Sequence, residues 1–484
     1  MDENQNIEIT DKSRIPLQRV LGLTTGILLV AGNIIGSGVF KKIAPMSAVL
    51  MNRNYILLAW ALAGIVSLFG AFTIAGLASM TTESGGIYEY LRITFGNFFS
   101  FLYGWASFFI IGSGGIAAIA FIFSQSVNAI IPLPDPLSTW QHISIGKLIF
   151  PFESSGVKIL AVFSIILLTA INFIGAKKGG YLNNVLTAAK ILGILLLIIM
   201  VLFHKSSGVQ PENISRQSLH SNTNIFSAII VAMLSAFWAY DGWYCLSFVS
   251  GEIKNPKRNV PLSIITGIGI SIIIYILLNG AFMHVMPISS LAKIGENNIA
   301  ALEFARVLSG NTGVMAIALL IVISTFGTLN ANIIAYPRLY YRMAQEKFFP
   351  EKAANVHPRF RTPYVALVYS MVWSCILVIS GTFDLLTDIV IFAEFLFFVL
   401  VGWGLIKMKR QGRITAKLIA YPLSPIVLIL FSLVLIINTI IEEPVQSIAG
   451  LLFTLSGIPV YYYYRKKKNI ISEENPSYGK IIID

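Results

Sequence analysis

Ala31-Gly-Asn-Ile-Ile-Gly-Ser-Gly-Val-Phe40 is the stretch on which the reading of this chain turns. Three glycines and a serine interrupt an apolar segment of membrane length, giving a helix the means to break halfway across a bilayer. Backbone that leaves a helix at membrane depth loses internal partners for its N–H and C=O groups. Such backbone persists only where protein, water or a ligand satisfies those groups. A mid-membrane break is therefore a candidate binding site.

The surrounding composition fits a membrane setting. Hydrophobic residues make up 56% of the 484 positions and charged residues 12%, whereas a soluble domain carries roughly 25% charged residues. Mean hydropathy is +0.75. Windows of about 20 apolar residues predict an all-α integral membrane protein with twelve transmembrane helices, the first over 18–43 and the last over 445–464. Five spans fall in 18–204, five in 224–406 and two in 416–464, between an N-terminal tail, 1–17, and a C-terminal tail, 465–484. Asn297–Ser309 is expected as a short helix outside the membrane. The N-terminal tail is polar and lacks the apolar core and cleavage site of a signal peptide, so the first span is expected to drive insertion. Cys245 and Cys375 lie in separate apolar segments and the five histidines are scattered. No disulfide framework, metal site or cofactor is expected from them.

The net charge of +12 and a pI near 9.5 raise the question of nucleic acid. Position answers it. With both termini on one side, 26 of the 35 Lys and Arg residues fall on that side, including Lys190 within the fifth span. This bias predicts cytoplasmic termini in a cell membrane and excludes nucleic-acid binding as the meaning of the charge. The run Tyr461–Lys468 follows the same logic, with aromatic rings at the interface and cations toward the anionic inner leaflet. Regulatory lipid binding is the alternative for that run.

A second interruption, Ala236-Phe-Trp-Ala-Tyr-Asp-Gly-Trp-Tyr244, lies in the sixth span. A carboxylate and a glycine in mid-span should face protein or a cavity. Glycine-interrupted helices in corresponding positions of two halves point to inverted repeats with a ligand at their interface. The chemistry suits a zwitterion. N–H groups near Ser37 and Gly38, with Gly36 opening the break, favour a carboxylate. Carbonyls near Asn33 and Ile34, and from Trp238 to Asp241 and Gly242, can accept from an ammonium group. Close helix packing is the alternative reading of either glycine cluster.

Gly32–Phe40 and Ala239–Trp243, followed by Gly251-Glu-Ile-Lys-Asn-Pro-Lys-Arg-Asn-Val-Pro261, resemble the amino acid–polyamine–organocation (APC) transporters. The chain looks closest to bacterial relatives of the L-type amino acid transporters. Ser84–Tyr90, Leu186–Gly193 and Ser324–Ala331 with Arg338 extend the resemblance from about residue 18 to 464. The resemblance implies a LeuT-like five-plus-five inverted repeat with broken helices one and six, plus two C-terminal helices. It also implies that Ser37 and Gly38 bind a substrate carboxylate through backbone N–H groups. Ile34, Trp238 and Asp241 would offer carbonyls to the amino group, and Trp238 would close over the substrate. Two positions depart from the family pattern: Gly76 stands where a glutamate is usual and Thr82 where a proline is usual.

In similar transporters a lysine at the position of Lys190 occupies the place of a sodium ion in sodium-coupled relatives. It reads either as a fixed cation tying span five to carbonyls of spans one and eight, or as a carrier of a coupling proton. Glu394 in the tenth span reads as a hydrogen-bonded gate residue, with pairing to a cation or titration as alternatives. The expected activity is amino acid exchange or proton-coupled symport of neutral substrates by alternating access. No Walker motif or soluble nucleotide domain accompanies it. An amino-acid sensor that does not transport is the rival, and a membrane enzyme lacks a nucleophile–base set. The expected partners are the substrate, the lipid bilayer and, in symport, protons. Loop 132–156 has no cysteine, so no disulfide-linked heavy chain is expected.

Overall fold

In the computed structural model, residues 17–143, 151–203, 225–295, 298–380, 383–415, 417–442 and 444–474 are described. Residues 1–16 of the expected N-terminal tail, 475–484 of the C-terminal tail, His204, His220 and the loop 205–223 lie outside them. Among the described residues the regular elements are all helices, with one isolated parallel bridge between Leu21 and Ile253.

Eleven helices are long and apolar enough to cross a membrane. In order, spans one to eight are Leu23–Lys41, Arg53–Ala78, Asn97–Asn128, Ser155–Phe173, Lys177–Phe203, Ile225–Glu252, Pro256–Val285 and Ala300–Gln345. Spans ten to twelve are Ile389–Arg410, Leu423–Ile441 and Pro444–Lys468. The expected ninth span is the shorter helix Tyr364–Ser380, of 17 residues. It starts after Pro363, which lacks an N–H and so ends a hydrogen-bonded run. At ~1.5 Å per residue it is about 26 Å long, against a hydrocarbon core of ~30 Å. Spans four, five, seven, eleven and twelve carry large exposed apolar side chains, among them Phe163, Leu196, Ile273, Leu430 and Leu452. These are faces suited to lipid.

Five of the described spans depart from regular helix, the twelfth by a break at Ser456 between Pro444–Leu455 and Gly457–Glu474. Span one is helical over Leu23–Ile34, bends at Ile35–Ser37 and resumes at Gly38–Lys41. Span six runs from Ile225 to Tyr240, turns where Gly242 takes φ +87°, and continues as a 3₁₀ helix, Cys245–Glu252. Span three contains a π-helical turn, Ser107–Ile111. In the eighth, Ser309 and Gly310 leave helical geometry, with Gly310 at φ 61°. That break separates a short helix from the span, matching the short segment expected before residue 309.

Span seven packs against spans one and two, and span eight packs against spans three and five. Polar ties hold one end of this core. Arg338 and Glu252, both essentially inaccessible to solvent, form a bidentate pair at 2.9 and 3.2 Å between spans eight and six. The backbone of Leu21 accepts from Lys254 N–H at 2.8 Å and donates to Glu252 O at 2.9 Å, clipping the entry of span one to the exit of span six. Between spans two and three, buried Glu89 meets Arg92 at 2.8 Å and Arg342 at 3.2 Å. Burial alone would raise the Glu89 carboxyl; the hydrogen bonds and charges of Arg92 and Arg342 outweigh it and hold the group below the ordinary carboxylate range.

Candidate functional site

The two breaks lie against each other. A Cβ added to Gly38 would sit 2.5 Å from Ala239 Cα, so only glycine allows this approach of span one to span six. Asn33 Nδ2 donates to Gly242 O at 3.0 Å, and Tyr275 Oη from span seven reaches both Ile34 O and Ala239 O at 2.7 Å. One tyrosine hydroxyl thus clamps the ends of both broken helices.

Other side chains cover the remaining carbonyls of the first break. Lys190 Nζ donates to Gly32 O at 2.7 Å and Ile35 O at 2.6 Å, with Ser324 O at 3.2 Å and Thr328 Oγ1 at 3.1 Å. Thr328 Oγ1 also donates to Gly32 O at 2.9 Å, and Ser324 Oγ to Ile35 O at 3.0 Å. Lys190 is fully buried, held between spans one, five and eight. Backbone released at membrane depth is satisfied by these groups, as the bilayer requires.

On the other side of the break the polar groups are left open. No hydrogen bond among the described residues uses the N–H of Ser37 or Gly38, and the Ser37 side chain makes no cap bond. Gly36 N–H is taken by Ile34 O at 2.8 Å. With Tyr275 on its other lone pair, Ile34 O is already doubly occupied. Trp238 O accepts from Asp241 N at 3.4 Å.

These groups surround a small cavity of about 40 Å³. All eight residues expected to bind ligand line it: Asn33, Ile34, Gly36, Ser37, Gly38, Trp238, Asp241 and Gly242. Span three adds Ile111, Gly115 and Ile119, and span eight adds Thr328, Asn332 and Tyr336. The cavity thus presents two free N–H groups at one place, and Asp241 with Trp238 at another.

Lys190 and Glu394 stand outside the lining. Lys190 is behind span one. Glu394, 1% exposed, is buried with Asp241, Tyr244 and Cys245 of span six, Tyr103 of span three and Tyr336 of span eight as its ionisable neighbours. Its carboxyl faces the side chains of Asp241 and Tyr244 at interaction distance, with no partner of full hydrogen-bond geometry among the described residues. A wall of buried tyrosines isolates it, with Tyr244 Oη and Tyr336 Oη 3.0 Å apart.

The sequence reading missed Tyr275, Asn332 and Tyr336. A signal for the last two exists: Ser324, Thr328, Asn332 and Tyr336 recur every fourth residue, a polar stripe on one face of an apolar helix. The two departures from the family pattern also find local partners. Gly76 packs under Leu405, where an added Cβ would lie 2.7 Å from its side chain. Thr82 Oγ1 accepts from Arg19 at 3.3 Å.

The profile of the amino acid permease family matches residues 21–462. The serine/threonine exchanger SteT of Bacillus subtilis is 31% identical over 451 residues, covering 92% of this chain and 97% of SteT. The mouse b(0,+)-type amino acid transporter 1 is 32% identical over 467 residues, covering 95% and 91% of the two chains. The human cystine/glutamate transporter is 27% identical over 481 residues, with 99% and 90% covered.

Proposed function

The chain belongs to the amino acid permease family, and from that premise we propose that it exchanges one neutral amino acid for another across the cell membrane by alternating access. It is a multi-pass membrane transporter of amino acids, not an enzyme. The observation that carries the finer reading is the pair of unpaired N–H groups at Ser37 and Gly38, which open onto the same cavity as Trp238 and Asp241. The substrate carboxylate binds those N–H groups at the resumption of the helix. Its ammonium group binds the Trp238 carbonyl and Asp241, and Trp238 closes over it. Ile111, Ile119 and Trp238 give the side chain an apolar setting, which supports neutral substrates.

In this reading the two five-helix repeats, 18–204 and 224–406, carry the two breaks, spans eleven and twelve follow them, and both termini face the cytoplasm. Lys190 is a fixed cation that holds the first break in shape. The named activity of the SteT relative supports exchange. Proton-coupled symport is the second reading, favoured by Glu394: a buried carboxyl against the carboxyl of the cavity residue Asp241.

Uptake of labelled amino acids into proteoliposomes distinguishes these readings. Uptake only into vesicles preloaded with unlabelled amino acid is the expected result. Uptake into empty vesicles driven by an inward proton gradient would replace exchange by symport. Binding without flux in either would make the protein a sensor.

A further inference from the structure

A second cavity, sharing no lining residue with the substrate site, lies between the segment after span eight and the end of span twelve. Its volume is about 510 Å³, and Lys347, Lys352, Lys467 and Lys468 line it with a single carboxylate, Glu351. That carboxylate is already engaged, 3.7 Å from Lys467 Nζ. The next acidic side chain, Glu346, is taken by Arg342 at 3.1 Å. Lys468 leans over the Phe348 ring at 5.0 Å and donates to the Glu346 backbone carbonyl at 3.4 Å, so its contacts add no negative charge. Four lysines and one engaged carboxylate give this lining a net positive charge that favours an anion.

The depth of the cavity identifies the source. Tyr369 of span nine shares the lining with Tyr463 and Tyr464, and the latter two lie where the aromatic run of span twelve gives way to its lysines. Tyrosine belts followed by cations mark the headgroup layer of a bilayer. The Tyr463 ring is 66% exposed, an apolar surface beside the charged opening on which an acyl chain can lie. Basic pockets between membrane helices suit anionic headgroups.

We propose that this cavity binds the phosphate headgroup of an anionic phospholipid. The bound lipid ties span twelve to the segment that ends span eight. The site is independent of the substrate cavity, and its occupancy is read without measuring transport.

The test is the melting midpoint of the detergent-purified full chain with phosphatidylglycerol, with phosphatidylcholine or with inorganic phosphate. Phosphatidylglycerol is expected to raise the midpoint by several degrees over phosphatidylcholine. The double variant Lys352→Gln, Lys467→Gln is expected to lose that increment while melting normally in phosphatidylcholine, because both side chains are exposed. Equal midpoints in the two lipids, or an undiminished increment in the variant, would overturn the proposal. Protection by inorganic phosphate equal to that by phosphatidylglycerol would overturn the lipid as its ligand.

Discussion

Gly38→Ala is the sharpest test of the junction between the two breaks. The added methyl would lie 2.5 Å from Ala239 Cα, 2.7 Å from its Cβ and 3.1 Å from its N. Carbon atoms in comfortable contact sit ~3.5–4.0 Å apart, so the helices must part by about 1 Å. The obstacle is backbone, which has no rotamer to yield, and Ala239 O is held by Tyr275. Overpacking of this kind costs ~1–3 kcal/mol, and the free N–H of Gly38 moves with the strain. Substrate affinity is therefore expected to fall by ~5- to 150-fold. Gly36→Ala and Gly115→Ala are the controls. Gly36 has its nearest neighbour, Thr328, at an ordinary 3.4 Å and Gly115 has none within 4 Å. Both line the same cavity, and each is expected to stay within a few-fold of the parent. Equilibrium binding of labelled amino acid, with initial exchange rates in proteoliposomes, reads the series. Parental affinity in Gly38→Ala, or equal damage from Gly36→Ala, would refute the close approach as the basis of the site.

Four further outcomes are expected. Ser37 sits at φ −76°, within the range of proline, so Ser37→Pro removes an N–H at compatible φ; losing one hydrogen bond to a charged group, ~1.5–3 kcal/mol, should weaken binding by ~10- to 150-fold. Ser37→Ala should be mild, and equal damage from both would sink the backbone-binding reading. Lys190→Ala should lower both the melting midpoint and exchange, since Ser324 and Thr328 cover its carbonyls only in part; unchanged flux with unchanged pH dependence would remove it from any working role. Glu394→Gln keeps the shape of the side chain, so in the exchanger reading the pH profile of flux should not change, whereas a flattened profile would support proton coupling. Glu89, whose carboxyl is depressed in the folded state, stabilises fully above its ordinary value of 4.5, and that stability is lost as pH falls through the lower folded value. Glu89→Gln should flatten this acid limb in thermal melts, and an unaltered limb would show that the Arg92–Arg342 cluster contributes nothing there.

Much of the site was legible because it is built from departures that apolar sequence makes conspicuous. Glycines at 36, 38 and 242 and a carboxylate at 241 stand out against membrane-length hydrophobic runs, and the cavity closes on them. Tyr275 was not legible, because a tyrosine among isoleucines reads as packing until two carbonyls from other spans meet its hydroxyl. The π turn at Ser107–Ile111 was equally hidden, since no proline or glycine marks its interior, yet it ends at the cavity residue Ile111. Lys190 and Glu394 drew notice as charges in apolar spans, but one sequence does not say that both stand behind the cavity wall. The ninth span looked like its neighbours by hydropathy, and only its boundary at Pro363 sets it apart.

The clip between Leu21 and Glu252–Lys254 is made of main-chain atoms alone. Its persistence under mutation therefore differs from that of the Arg338–Glu252 pair beside it. Nearly any side chain at position 21 leaves the amide and carbonyl intact, whereas proline there deletes the donor to Glu252 O. A one-residue insertion just before span one would shift which amide faces Glu252. Leu21 is buried, so substitution scanning should find position 21 tolerant of other apolar residues but not of proline, with the neighbouring spacing intolerant of length change. The ends of the two broken spans are coupled by register, a property that drift in residue identity scarcely touches.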